Sequence, residues 1–281
     1  MSEGHHYFVP LPSRWPAICS AALFLVVGGF IFIFNSLAGG TAMFVAGFVV
    51  LLYVMVGWWG DVARKSEGGR YKAWEDMSFR WGMGWFIVSE VMFFGAFFGV
   101  LFYARNISVP DLGAAHSKIL WPEYNAIWPT AGPYFSDKFG TIPAFGVPAI
   151  NTLILLTSGV TVTFAHWALR LNNRRNLIIG LALTAMLGIL FLILQAEEYA
   201  HAYQDLDLRL NTGIYGSTFF MLTGFHGLHV TIGTICLIVI LGRCLVGHFK
   251  PEHHFGFEAV AWYWHFVDVV WLLLFVLVYW I

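Results

Sequence analysis

The stretch Leu222-Thr-Gly-Phe-His226-Gly-Leu-His229-Val-Thr231 places two imidazoles inside an apolar run that extends over residues 212–242. About 20 consecutive apolar residues are enough for a helix to cross a bilayer, and this run is longer. An ionisable side chain in hydrocarbon costs about 3 kcal/mol or more, so such residues usually pair, line water or take part in chemistry. The stretch therefore predicts a membrane-spanning helix with polar groups near its middle.

Two further apolar runs carry ionisable residues: Glu90 lies in one, and His265 and Asp268 lie in the other. At a rise of 1.5 Å per residue, these three side chains lie roughly 12–17 Å from the nearer predicted end of their spans. His265 and Asp268 are three residues apart and share a helix face, as do His226 and His229. A carboxylate at this spacing can orient an imidazole and stabilise its charge.

The spacing of these five residues leaves three roles open. Structural pairing inside a helix bundle is the favoured role, proton handling comes second, and ligation of haem or a metal comes third. Haem ligation would need two histidines facing one another on two helices, for which His226 and His265 are the candidates. Glu90 either carries a proton or pairs with a nearby imidazole.

Composition places the whole chain in a membrane. Of its 281 residues, 59% are hydrophobic and 11% are charged, whereas a soluble domain has about 25% charged residues. The net charge of −1 says nothing about nucleic acid, and no basic run indicates a nucleic-acid partner, so none is expected. Seven apolar runs predict an all-α integral membrane protein, with spans at 16–36, 41–59, 80–104, 143–170, 176–200, 212–242 and 257–280.

The positive charges predict an orientation. Eleven of the fifteen Lys and Arg residues fall on the side of the membrane that holds the N-terminus. The positive-inside rule then predicts an inside N-terminus and an outside C-terminus. We expect an N-terminal tail and two-helix hairpin over 1–59, an inside loop over 60–79, and a five-helix bundle over 80–281 that includes an ordered, aromatic-rich outside loop over 105–142.

Aromatic and basic residues cluster at the predicted inner interface. Trp58 and Trp59 end the second span and Arg64 follows, while Arg80 opens the third span and Arg243 closes the sixth. Tryptophan at headgroup level with arginine nearby can hold a phospholipid phosphate. An ordinary aromatic belt with positive-inside charges accounts for the pattern equally well.

Four other residues give weaker expectations. Gly95 and Gly99 match G-x-x-x-G, which predicts a close approach by another helix, although a chain with 29 glycines contains such spacings by chance. His166 and Glu198 lie at predicted span ends, where we expect solvated side chains.

Several of these strings together resemble subunit III of the haem-copper cytochrome c oxidases. The resemblance rests on residues 58–62, 86–94, 194–199, 217–230 and 253–271 and runs from about Trp58 to Ile281. The long outer loop is similar to that of bacterial, alphaproteobacterial aa3-type enzymes. Gly60 departs from the arginine that the mitochondrial form tends to have.

The resemblance implies an accessory chain without haem or copper, because haem a and copper belong to subunits I and II. It implies that the first two helices splay from the other five around a V-shaped cleft filled with phospholipid. Glu90 corresponds to the family's intramembrane glutamate. The lipid contacts carried over by position are Trp58, Trp59, Arg64, Arg80, Phe86 and Arg243.

The resemblance also implies a role in a proton-pumping complex of the aerobic respiratory chain, which oxidises cytochrome c and reduces dioxygen to water. In the bacterial inner membrane this chain would stabilise subunit I and hold lipids. Histidine exchanges protons near neutral pH, so an inner surface with several histidines would buffer protons near the uptake entrance. These histidines are His5, His6, His248, His253 and His254.

Overall fold

The computed structural model describes residues 12–114, 116–134 and 138–280, and the regular structure in these ranges is helical throughout. Seven helices are long and apolar enough to cross a membrane, which confirms the predicted all-α membrane class. They are α1 (Trp15–Phe34), α2 (Gly40–Glu67), α3 (Ala73–Leu112), α4 (Val147–Arg170), α5 (Arg174–Gln204), α6 (Gly213–Leu245) and α7 (Phe255–Trp280). The chain divides into two compact units, Met1–Ser78 and Phe79–Ile281.

The first unit contains the α1–α2 hairpin, and small residues bring its two helices close together. A Cβ added at Gly47 would lie 2.7 Å from the backbone nitrogen of Val26, so only glycine allows this approach. The turn between the helices includes Ser36 and Gly39, both with positive φ. At the opposite end, the Trp15 indole donates a hydrogen bond to Asp61 on α2.

The segment 60–79, expected to be a loop, is mostly helix. The helix α2 continues through Asp61 and Arg64 to Glu67, and α3 already begins at Ala73. The break is confined to the few residues that follow Glu67, where Gly69 has φ of +67°. Charged side chains mark the predicted end of the hydrocarbon but are good helix formers, so the helix projects beyond the apolar run.

The second unit is built around α4 to α7, whose contacts also depend on glycine. The buried Trp264 of α7 fits against Gly188 of α5 and Gly233 of α6, where an added Cβ would lie 2.8 Å from its ring in each case. Its indole nitrogen donates to the Ser158 hydroxyl of α4 at 2.9 Å. One side chain therefore locks four helices together.

The part of α3 in this unit contacts the bundle through large side chains. Phe93 packs edge-on against Phe225 of α6 at a centroid distance of 5.0 Å, and Phe94 lies 6.1 Å from Phe266 of α7. By contrast, Gly95 and Gly99 have open space where a Cβ would stand, so the close helix approach expected there is not made among the described residues.

Aromatic residues of the segment between α3 and α4 contact the bundle. Trp128 and Phe139 both contact the ring of Tyr215 on α6, at 5.6 and 5.4 Å. The backbone of Gly140 donates to Leu206 at 2.8 Å. Through these contacts, the described residues of the segment pack against α6 and the α5–α6 connection.

Candidate functional site

The intramembrane Glu90 of α3 contacts His229 of α6. Its Oε2 lies 2.9 Å from Nε2 of the imidazole, and both side chains are largely shielded, with exposed fractions of 21% and 11%. The other ring nitrogen, Nδ1, lies 2.6 Å from the carbonyl of Phe225. A carbonyl can only accept, so Nδ1 carries a hydrogen. The pair thus shares one further proton, which is on either the imidazole or the carboxyl group.

His265 and Asp268 form a second, looser pair on α7. Nδ1 of His265 lies 3.8 Å from Oδ2 of Asp268, and its Nε2 lies 3.2 Å from the Thr163 hydroxyl on α4. The imidazole is 45% exposed, whereas the carboxylate is 9% exposed. Gly159 on α4 makes room for Asp268, because an added Cβ would lie 2.6 Å from Oδ2. The pair therefore lies at the α4–α7 contact, with its imidazole at the surface and its carboxylate enclosed.

The remaining intramembrane residue of the five, His226, has a fully buried side chain. Its Nε2 donates to the carbonyl of Val267 on α7 at 3.2 Å, and its ring lies beside Phe191 and Trp271. Its Nδ1 has no hydrogen-bond partner in the described part of the chain. His226 thus joins α6 to α7 separately from the Glu90 pair.

These contacts separate the five predicted residues into three sites within the described ranges. His226 and His265, the candidates for haem ligation, use their Nε2 atoms on different partners, Val267 and Thr163. This geometry disfavours a shared haem between them. Each of the three sites instead joins two helices: α3 to α6, α4 to α7, and α6 to α7.

A fourth polar cluster lies where α4 ends and α7 begins. Oε1 of Glu258 lies 3.2 Å from Nε2 of His254 and 3.6 Å from Nε2 of His166, and the two Nε2 atoms are 3.2 Å apart. The guanidinium of Arg80 on α3 pairs with the other carboxylate oxygen. The expectation that His166 is solvated is wrong, because its side chain is only 24% exposed. Sequence spacing relates only His254 and Glu258, which are four residues apart.

Glu198 is also enclosed rather than solvated. It is 3% exposed, and its Oε1 accepts a hydrogen bond from the Tyr279 hydroxyl at 2.7 Å. The amide of Gln195 lies 3.4 Å from the same oxygen. The adjacent Glu197 suggested two solvated carboxylates, but helical rotation turns Glu198 into the bundle. A polar residue one helical turn away, Gln195, was the signal that could have identified it.

Three of the predicted lipid contacts lie on α2. Trp59 is 60% exposed, and Trp58 is half-buried. Arg64 is exposed and pairs with Asp61, which also accepts the hydrogen bond from Trp15. An exposed indole near an arginine is thus present on this helix.

The other three predicted lipid contacts lie in the second unit. Phe86 is half-exposed and contacts the ring of Tyr263. Arg80 lies over the ring of Phe255 and is paired with Glu258. Arg243 lies over the ring of Phe249 at 4.2 Å and donates to Nδ1 of His248 at 3.4 Å.

The predicted surface histidines differ in accessibility. His253 is exposed and His248 is half-buried, whereas His254 is buried in the Glu258 cluster. The expectation that His254 is a surface group is therefore wrong. His5 and His6 lie outside the described residues.

Comparison with known proteins gives a consistent assignment. The family model for cytochrome c oxidase subunit III matches residues 5–281. Cytochrome c oxidase subunit 3 of Marchantia polymorpha is 42% identical over 282 residues, which cover 100% of this chain and 98% of the relative. The proteins of the same name from Prototheca wickerhamii and Equus caballus are each 41% identical, over 98% and 99% of this chain and 97% and 98% of the relatives. The chain, an integral multi-pass membrane protein, belongs to the cytochrome c oxidase subunit III family.

Proposed function

We propose that this chain is an accessory subunit, without a redox centre of its own, of a proton-pumping cytochrome c oxidase. It stabilises subunit I, holds structural phospholipids and supports sustained turnover while subunits I and II carry haem a and copper. The complex oxidises cytochrome c and reduces dioxygen to water. We place it in a bacterial inner membrane with the N-terminus in the cytoplasm.

The observation that carries this proposal is that the intramembrane ionisable groups of the second unit contact other helices. Glu90 contacts His229 across α3 and α6, and Asp268 lies against Gly159 across α7 and α4. A fixed scaffold that buttresses a neighbouring subunit needs such cross-links. A proton channel or a haem protein formed by this chain alone would need these groups to face water or a cofactor.

Lipid binding is the second part of the proposal. Within the first unit, the exposed indole of Trp59 suits the membrane interface, and within the second unit, Arg243 in the last turn of α6 supplies a cationic group that suits a phospholipid phosphate. The exposed His253 and the half-buried His248 are suited to exchanging protons beside an uptake entrance.

Affinity purification of the tagged chain from its native membrane tests the proposal. We expect haem-containing partners to co-purify with it, and the chain expressed alone to show no Soret absorption and to pass no proton flux in liposomes. A Soret band, or proton flux from the chain alone, would contradict the accessory role.

The same purified complex tests lipid binding. We expect replacement of Trp59 by Leu together with Arg243→Gln to lower phospholipid phosphorus per complex and to shorten activity during turnover. Arg209→Gln is the control, because Arg209 lies before the opposite end of α6 and pairs with Asp207. Equal phospholipid content in both variants would reject the lipid sites.

A further inference from the structure

Two buried oxygen atoms of α5 have no hydrogen-bond partner in the described part of the chain: Oε2 of Glu198 and Oε1 of Gln195. The two side chains are only 3% and 6% exposed. If Glu198 is ionised, both atoms are acceptors and neither can satisfy the other. We propose that Glu198 is a proton-binding site, which holds a hydrogen on Oε2 at neutral pH and exchanges it with water beside His201.

The described partners of the Glu198 carboxyl group are neutral. Tyr279 of α7 donates its hydroxyl hydrogen to Oε1 at 2.7 Å, and the amide of Gln195 donates to the same oxygen at 3.4 Å. A buried carboxylate whose partners are all neutral bears a large desolvation cost, whereas the protonated acid does not. The surroundings of the group therefore favour the acid form.

The neighbouring hydroxyl of Tyr199 is used elsewhere. Thr223 of α6 donates its hydrogen to the Phe219 carbonyl at 2.8 Å, so Tyr199 is the donor in the 2.7 Å contact between the two hydroxyls. Its hydrogen is thus not available to Glu198. A hydrogen on Oε2 turns this oxygen from an acceptor into a donor, for which the free oxygen of Gln195 is a suitable acceptor.

A polar stripe on α5 leads from Glu198 towards water. Glu198, His201 and Asp205 follow one another at intervals of three and four residues and so share a helix face. Nδ1 of His201 lies 2.7 Å from Oδ2 of Asp205, and these two side chains are 51% and 65% exposed. The imidazole is close enough for its charge to act on the Glu198 carboxyl group. Since histidine exchanges protons near neutral pH, His201 is suited to pass protons between Glu198 and water.

The site goes beyond the accessory role proposed above, because it uses only residues of the second unit and needs no partner chain. The titratable groups around it are Tyr279 of α7 and Tyr199 and His201 of α5. Of these, only the histidine takes up or releases a proton near neutral pH when unperturbed. The chain thereby gains one buried group that can store a proton within the bundle.

Infrared spectroscopy of the full-length chain in detergent at neutral pH tests the site. A protonated carboxyl group has a C=O stretching band that is separate from the bands of ionised carboxylates. We expect Glu198→Gln to lose one such band relative to the wild type, and any contribution of Glu90 cancels in this difference. Glu197→Gln is the matched control, because the adjacent Glu197 is exposed and its replacement should leave the band unchanged.

Two further variants test the geometry. Tyr279→Phe removes the donor to Oε1, so the band should move to higher frequency without being lost. His201→Gln should slow, by severalfold, the shift of the band that follows transfer into D2O. An unchanged exchange rate in this variant would overturn the exchange beside His201.

The wild type alone also tests the site and requires no variant to fold. Labelling of the glutamate carboxyl groups with ¹³C should move the band to lower frequency. If the wild type has no C=O band of a protonated glutamate at neutral pH, Glu198 is ionised and the proposal is overturned. A band that persists at full strength in Glu198→Gln would overturn it as well.

Discussion

At the scale of single residues, the Glu90–His229 contact has a defined protonation pattern. The carbonyl of Phe225 fixes one hydrogen on Nδ1, and the 2.9 Å contact holds one more proton between Nε2 and the carboxyl group. The pair is neutral overall in either arrangement. It can therefore remain in a low-dielectric bundle without the cost of an uncompensated charge.

A double-mutant cycle measures this contact. We expect Glu90→Gln and His229→Gln each to lower the stability of the chain in detergent, and the double variant to lose less than the sum of the two. The interaction free energy, which is the sum of the two single losses minus the loss of the double variant, should be about 1–2 kcal/mol, as for residues in direct polar contact. Chemical denaturation followed by tryptophan fluorescence provides the readout.

His226 supplies the control for that cycle, since its imidazole donates to Val267 and not to Glu90. Glu90→Gln combined with His226→Gln should therefore be close to additive, within about 0.5 kcal/mol. Additive losses for Glu90 and His229 would show that the contact contributes nothing to stability.

At the scale of helices, glycine decides where two backbones can approach. Trp264 occupies space left by Gly188 and Gly233, and the ring reaches the Ser158 hydroxyl beyond them. In a membrane, apolar side chains gain little by leaving lipid, so close packing and interhelical hydrogen bonds hold helices together. The indole supplies both of these interactions.

Two glycines on α6 allow a direct comparison. Replacement of a glycine by alanine inside a helix normally stabilises the helix by about 1 kcal/mol. We expect Gly227→Ala to be neutral or stabilising, because nothing lies within 4 Å of the added Cβ. Gly233→Ala should destabilise the chain by about 1–3 kcal/mol, since its Cβ would meet Trp264.

The melting temperature of the detergent-solubilised chain is the measurement for both variants. An equal response to the two substitutions would show that the indole moves aside easily and that the glycine at 233 is not required for packing.

Sequence alone predicts the helices much better than their contacts. The seven spans follow from apolar runs, and their ends differ most at the end of α2 and at both ends of α3, where the helix continues past the apolar run through residues such as Arg64 and Lys65. Side-chain partners depend on how helices rotate and cross. The burial of Glu198 and of His166 arises in this way. Gln195, one turn before Glu198, is a sequence signal for the first, and no spacing along the chain indicates the second.

At the scale of the whole molecule, the orientation of the chain in the membrane is a prediction from the distribution of its positive charges. The excess of Lys and Arg on one side favours a cytoplasmic N-terminus. Seven spans then place the ends of the chain on opposite sides. The same orientation predicts that the connection between α4 and α5 faces the cytoplasm and that the segment between α3 and α4 faces outward.

Cysteine labelling in intact cells tests this orientation. Lys118 and Arg175 are both exposed and lie on opposite predicted sides. We expect Lys118→Cys to react with a membrane-impermeant maleimide in intact cells, and Arg175→Cys to react only after permeabilisation. The parent chain, with its three native cysteines, gives the background. The reverse pattern would invert the topology.

The packing around Trp264 limits which substitutions this chain can accept during evolution. Enlarging either glycine beside the ring creates a clash. Shrinking the ring leaves a void and removes the indole donor from the Ser158 hydroxyl, which then keeps only its bond to the Leu155 carbonyl. A single substitution at any of these positions is therefore costly, whereas a compensated set of substitutions is not. Homologous chains should accordingly keep the indole together with both glycines, or replace them jointly.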